Sequence, residues 1–215
     1  MSKNIWMLHH YATPPSMSGL TRPYEFSKQL KGYGYKSTIF ASAYLHYTNE
    51  NLISDKSKYI KYIYNEIPFI FIRSPEYKNN GISRIANMIS FAYGILSVSK
   101  DLLKNKTKPD VIYASSSHPL TLIAGVMLGK NFSIPCICEV RDLWPESFVA
   151  YSIIKRNNPL LKLLYAGERW IYKKADKLIF TMEGGSEYIT DKTWDKGHGG
   201  PIDLNKVHHI NNGVD

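Results

Sequence analysis

The chain is poor in cysteine, in carboxylates and in long apolar runs. Its 215 residues include only Cys136 and Cys138, which excludes a disulfide-stapled scaffold. Two positions apart on a strand, the pair would point to one face with too little slack for an unstrained bridge, so both read as buried, reduced thiols. No second Cys or His pair stands at zinc-site spacing. No run approaches the ~18 apolar residues of a membrane span, and residues 1–10 lack the apolar stretch of a signal peptide, so the expected compartment is the cytoplasm. Asp and Glu number 18 against 27 Lys and Arg, a net charge of +9. Such an excess favours phosphates, anionic lipid surfaces or nucleic acid without choosing among them.

Several chemical fingerprints are also missing. No G-x-G-x-x-G follows the first strand and no G-x-x-x-x-G-K-[ST] occurs, which argues against a simple NAD enzyme and a P-loop kinase or GTPase. A sugar-nucleotide epimerase would want the same Gly-rich loop beside a Tyr-x-x-x-Lys pair; Tyr24 and Lys28 have that spacing, but the loop does not accompany them. No helix-turn-helix, zinc finger or ribonucleoprotein motif is visible, so no nucleic-acid partner is expected.

What is present is the material of an α/β domain. With 44% hydrophobic residues the chain can build an ordinary core. Residues 4–8 read as a strand, 21–30 as an amphipathic helix stopped by Gly32 and Gly34, and 36–41 as the next strand: a βαβ opening. Strands follow at 68–73, 109–114, 134–140, 177–181 and 207–210. Helices are expected at 83–103, 120–128 and 159–174. Residues 56–64, where Lys, Tyr and Ile alternate, read as a strand or as a basic surface. The βα alternation predicts a Rossmann-like parallel sheet with helices on both faces, one domain over 1–215, and ligands outside the carboxyl ends of the strands.

The loops at those ends carry the candidate chemistry. The first holds His9, His10, Pro14, Pro15, Ser18 and Gly19, and a glycine before a helix amino terminus is either a phosphate contact or a turn residue. Ser115, Ser116, Ser117 and His118 follow a later strand, where hydroxyls meet a sugar or cap a helix. The densest segment is Glu139, Val140, Arg141, Asp142, Leu143, Trp144, Pro145 and Glu146. Period-two alternation puts Glu139 and Arg141 on one face and Val140 and Asp142 on the other. Arg141 then either braces the loop through a Glu or meets a ligand, and Asp142 is a candidate hydrogen-bond acceptor for substrate hydroxyls.

The order Pro14-Pro15, Gly19, Arg22, Tyr24-Glu25, then Glu139-Val140-Arg141-Asp142-Leu143-Trp144-Pro145-Glu146-Ser147, then Asn212-Gly213-Val214-Asp215 resembles glycosyltransferase family 4, and within it the L-fucosaminyl transferases of capsule and O-antigen assembly. The resemblance implies a GT-B enzyme of two Rossmann-like domains, of which residues 1–215 are the amino-terminal, acceptor-side one, with the donor-binding domain absent and the chain inactive by itself. It implies a retaining, metal-independent transfer from a nucleotide sugar to an undecaprenyl-diphosphate saccharide at the inner face of the cell membrane. The family's Gly-Gly pair beside the donor diphosphate is replaced here by Ser18 and Gly19. Asp142 is the expected catalytic residue, with Ser18, Gly19, Arg22, Ser117, His118, Arg141 and Glu146 as substrate-binding residues. Two basic and aromatic groups are candidate membrane contacts: Lys56, Lys58, Tyr59, Lys61, Tyr62 and Tyr64, and Arg169, Trp170, Tyr172, Lys173 and Lys174. For the last two lysines the alternative is a helix carboxyl terminus stabilised by cations, and the helix 83–103 either inserts at the interface or packs. A second reading is a noncatalytic, acceptor-binding and membrane-recruiting subunit working with a separate donor-binding chain.

Overall fold

The structure is a computed structural model that describes residues 3–78, 81–104 and 108–213. Its elements are β1 (Asn4–Leu8), α1 (Arg22–Gly32), β2 (Lys36–Ser42), β3 (Tyr44–Leu45), β4 (Glu50–Asn51), β5 (Tyr59–Tyr64), β6 (Ile67–Ile72), α2 (Ile82–Lys104), β7 (Val111–Ser115), α3 (Pro119–Phe132), β8 (Cys136–Val140), α4 (Glu146–Ala150), α5 (Pro159–Lys174), β9 (Lys177–Phe180), α6 (Gly185–Asp191) and β10 (Val207–His209). The main sheet has the order β10-β9-β8-β7-β1-β2-β6-β5. Val214 and Asp215 of the last motif lie outside the described residues.

β1 shows why the apolar runs become strands. It lies between β2 and β7, with Met7 opposite both Ile39 and Tyr113. Trp6 and Leu8 enter a core with Phe91 and Ile95 of α2, Leu122 and Val126 of α3, and Ile171 of α5. Ile5 and Met7 enter a second core with Tyr24 of α1. A strand covered on both faces has no solvent side, so its sequence is continuously apolar rather than alternating. Cys136 and Cys138 of β8 are buried on one face with their sulfurs 3.9 Å apart, unbridged. α3 lies close on β7 because Gly125 lacks a side chain: a Cβ there would come within 2.6 Å of the Ala114 Cβ.

Two stretches depart from uniform βα alternation: β3 and β4 pair antiparallel as a small separate sheet, and β5 joins the main sheet antiparallel. Residues 59–64 form an edge strand antiparallel to β6, with Tyr64 opposite Ile67. The two-residue turn between them, Asn65 and Glu66, has φ of 46° and 66°, the left-handed pair that suits a tight hairpin. The exposed Lys61 and Tyr62 discourage further pairing at that edge.

Chain order fixes where a ligand would sit. From β1 the chain steps outward through β2 and β6, then returns to add β7, β8, β9 and β10 on the other side. The order therefore reverses between β1 and β7, and the crevice outside their carboxyl ends is the ligand-binding position of such sheets.

Candidate functional site

Three loops meet at that crevice. After β1, His9 and His10 are buried; after β7, so is His118. Arg141, just past β8, brings its Nη1 to 2.9 Å from His9 Nε2, with Ser117 Oγ at 3.5 Å from the same nitrogen. Because Arg141 can only donate, His9 Nε2 is the acceptor. Burial, then the Arg141 charge, lowers the His9 pKa to about 3. His10 Nδ1 lies 2.5 Å from His118 Nε2. Burial lowers His118 to about 3 and His10 well below its ordinary value. Three neutral imidazoles are thus buried behind the crevice at physiological pH.

Beside it stands a buried ion pair. Arg22, at the start of α1, donates from Nε (2.9 Å) and Nη2 (2.7 Å) to one oxygen of Glu139, and Ser115 Oγ donates to the other at 2.5 Å. Glu139 is 1% exposed. The guanidinium also reaches the carbonyls of Ile210 and Asn211 and covers the Phe26 ring at 4.4 Å. One arginine therefore ties α1, β8 and the segment after β10 together, and its charge is consumed in doing so. The anticipated Arg141–Glu brace does not form among the described residues: Glu139 pairs with Arg22, and Arg141 with His9.

The string from Glu139 to Glu146 divides sharply. β8 ends at Val140, so the alternation expected through Asp142 stops there; Arg141 N donates to Ser116 Oγ at 2.9 Å and the chain turns. Asp142 is exposed, and among the described residues its carboxylate meets no donor. Four positions on, Glu146 accepts from Tyr165 Oη (2.6 Å) and Lys192 Nζ (2.8 Å), joining α4 to α5 and to the end of α6. Burial alone would raise this carboxyl, but those two donors hold it below the usual carboxylate range.

The other candidates are spread along the edge. Ser18 is exposed and lines a small recess with His10, Tyr11 and Thr13. Gly19 packs on Thr13, whose Oγ1 would lie 2.4 Å from an added Cβ, so the loop requires glycine there. Ser117 is half-buried beside His9, whereas the His118 ring sits behind the wall against His10. The structure thus brings Arg141 and Ser117 together around His9, engages Arg22 and Glu146 in ion pairs, and leaves Asp142 free. His9, its partner Arg141 and the Glu139–Arg22 pair form a unit that the spacing could not reveal, since Arg22 and Glu139 stand 117 positions apart.

Three further concavities open on the surface, one of them, about 520 Å³, around Lys130, Ser133, Trp170 and Lys174. Another, about 700 Å³, opens at the opposite edge of the sheet, around Asn4, Gly34 and Lys36, and has Lys61 of the first basic group in its lining. A smaller one, about 150 Å³, lies between α3, α4 and α5 and includes Asp142 and Trp144 in its lining. Among the described residues no cluster of three or more His, Cys, Asp or Glu side chains is placed to hold a metal ion, and no helix is long and apolar enough to cross a membrane.

The sequence profile of Glycosyltransferase Family 4 matches residues 21–215. No curated protein sequence matches significantly. Among solved structures, sucrose-phosphate synthase of Thermosynechococcus elongatus superposes with a TM-score of 0.60 at 11% identity, covering 99% of this chain and 91% of that one. HepE of Anabaena, solved with UDP-glucose, gives 0.53 at 13% identity over 99% and 44%. UGT89C1 of Arabidopsis thaliana, complexed with UDP-L-rhamnose, gives 0.56 at 10% identity over 98% and 49%. The chain spans about half or less of the length of the last two. At these identities the likeness is one of fold, that of a GT-B glycosyltransferase domain.

Proposed function

The chain belongs to Glycosyltransferase Family 4, and from that premise we propose that it is the amino-terminal, acceptor-side domain of a retaining hexosyltransferase. In this reading the enzyme moves a sugar from a nucleotide sugar to an undecaprenyl-diphosphate saccharide in bacterial capsule or O-antigen synthesis, without a metal. The observation that carries it is Asp142, an exposed carboxylate with no partner in the loop just past β8, at the carboxyl edge of the sheet. Its neighbours Glu139 and Glu146 are both engaged, so Asp142 alone of the three offers an acceptor for an incoming hydroxyl.

Loss of the nucleoside diphosphate leaves positive charge at the anomeric carbon. The useful work of this domain is to hold the acceptor hydroxyl in line and to place negative charge nearby. Asp142 does both, while the Arg141–His9–Ser117 group fixes the wall beside it. Ser18 and Gly19 face the donor diphosphate and His118 supports the wall. The UDP and UDP-sugar complexes of the structural neighbours support a nucleotide-sugar donor held by a second domain, so the isolated chain is inactive. The string from Arg141 to Ser147, with its likeness to L-fucosaminyl transferases, supports the polysaccharide assignment.

Peripheral attachment to the inner face of the membrane has its own support. Ile82, Ile85, Ile89 and Tyr93 of α2 are exposed at helical spacing, an apolar stripe on a chain of net charge +9. The test is cosedimentation with liposomes that contain or lack anionic lipid and undecaprenyl-diphosphate sugar, at low and high salt. Wild type is expected to need anionic lipid and to bind more tightly when the lipid-linked sugar is present, with that gain lost in Asp142→Ala. Absence of binding to every liposome would overturn the membrane assignment.

A further inference from the structure

The cavity between α3, α4 and α5 is built for hydrocarbon. Its volume of about 150 Å³ is enclosed chiefly by Leu120, Ile123, Trp144, Phe148, Leu164 and Ile171. An apolar space of that size holds a guest on the order of six carbons. Polar groups are few in its lining, and most of them are engaged. Ser116 Oγ accepts from Arg141 N. Glu168 accepts from the hydroxyls of Tyr172 and Tyr188, each at 2.8 Å. Asp142, at the exposed rim, is the carboxylate with accepting capacity to offer, beside the Trp144 indole N–H and the Ser116 hydroxyl proton as donors. A sugar ring inside would lose more hydrogen bonds to water than these few groups could replace, whereas hydrocarbon loses nothing.

The rim points to the kind of molecule. Leu163 is both a lining residue and 68% exposed, and Leu160, Tyr151 and Ile153 nearby in the chain are exposed as well. Between Glu146 and Glu168 the sequence has Lys155, Arg156 and Lys162 and no carboxylate. Apolar side chains interleaved with cations suit an anionic lipid. We propose that this cavity receives the first branched, five-carbon unit of a polyprenyl phosphate-linked acceptor, with the polar head emerging past Asp142. The assignment rests on the acceptor-side glycosyltransferase reading and names the part of the acceptor that this domain grips.

Gly167 makes the idea testable without damaging the fold. It lines the cavity from α5, and a Cβ added there would meet nothing within 4 Å. Gly167→Leu fills the space with a better helix former, so the variant is expected to melt at or above wild type. The probes are geranyl monophosphate, decyl phosphate and inorganic phosphate, titrated into both proteins by calorimetry. Geranyl phosphate should bind wild type saturably and about tenfold or more weakly in Gly167→Leu, the scale expected for losing several buried carbons, with inorganic phosphate unchanged. Equal geranyl phosphate binding by the two proteins, or binding no tighter than inorganic phosphate, overturns the assignment. Decyl phosphate binding as tightly as geranyl phosphate overturns the isoprenoid part in favour of a membrane acyl chain. The liposome experiment keeps the two claims apart. An Asp142-dependent response to lipid-linked sugar that Gly167→Leu leaves untouched removes the cavity and keeps the acceptor-side reading. No response to lipid-linked sugar removes that reading whatever the cavity binds.

Discussion

Two groups of residues at the carboxyl edge, which come within three positions of each other at Glu139 and Asp142, are built on opposite principles. Around His9, His10, His118, Arg22 and Glu139 every side chain is largely buried and has at least one polar partner, while the second ring nitrogens, His9 Nδ1, His10 Nε2 and His118 Nδ1, are buried without one. Around Asp142, Trp144 and the α3–α4–α5 cavity the surface is open, its apolar walls are unfilled and one carboxylate has no partner. Buried charge is tolerated only when paired and hydrogen-bonded, so the first group reads as scaffold. An unpaired carboxylate at a sheet's ligand edge has no such structural duty. Within one short string, Glu139 is bound into the scaffold and Asp142 is exposed without a partner, the position that the proposed function assigns to the acceptor.

The sharpest way to break the scaffold is acid. His9 and His118 have folded pKa values lowered to about 3 against an unfolded value near 6.5. The unfolded chain therefore binds more protons between those limits, and stability present above pH 6.5 is lost as pH falls towards 3. Lowering pH from 7 to 5 is expected to cost about 2 kcal/mol for each of the two, on the order of 4 kcal/mol together, measurable as a falling urea midpoint. Next in size is Glu139→Ala, which strands the Arg22 guanidinium; it should destabilise by about 3 kcal/mol in denaturant unfolding.

Glu168 tests the floor of the cavity and has the opposite pH sign. Burial pushes its carboxyl up to about 7, against the lowering effect of the Tyr172 and Tyr188 hydroxyls. Its folded form binds more protons than the unfolded chain, so its contribution is complete below about pH 4.5 and is lost as pH rises through 7. Glu168→Gln keeps acceptor and donor positions for the two phenols and cannot ionise. It is expected to be more stable than wild type at pH 8 by about 1–3 kcal/mol, an advantage that shrinks towards pH 5 in parallel thermal melts. Smaller again, Lys192→Ala removes one partner of the partly exposed Glu146 and should cost about 1 kcal/mol or less in the same melts.

The fold was legible where burial leaves a plain mark. β1, β7 and β8 are apolar throughout because both faces are covered, and α2 and α5 carry apolar residues at helical spacing. β5 was ambiguous because a half-exposed edge strand of alternating Lys, Tyr and Ile reads equally as basic surface, and its turn, Asn65-Glu66, lacks the glycine that usually marks such hairpins. α4, five residues long, is too short for a periodic signal. At the site, the dense string from Glu139 to Glu146 stood out by composition. Its division into engaged and free carboxylates did not, because the partners Arg22, Tyr165 and Lys192 are distant in sequence. Cys136 and Cys138 were read correctly as buried free thiols because strand geometry alone settles which way they point.

The contrast between Glu139 and Asp142 is tested most directly by measuring thermal unfolding and lipid-linked-sugar-dependent liposome binding side by side in wild type, Glu139→Gln and Asp142→Ala. The account predicts that Asp142→Ala melts with wild type, within about 0.5 kcal/mol, and loses the response to the lipid-linked sugar. Glu139→Gln melts lower and, where still folded, keeps that response. An Asp142→Ala protein that melts as low as Glu139→Gln, or one that still responds fully to the lipid-linked sugar, would contradict it.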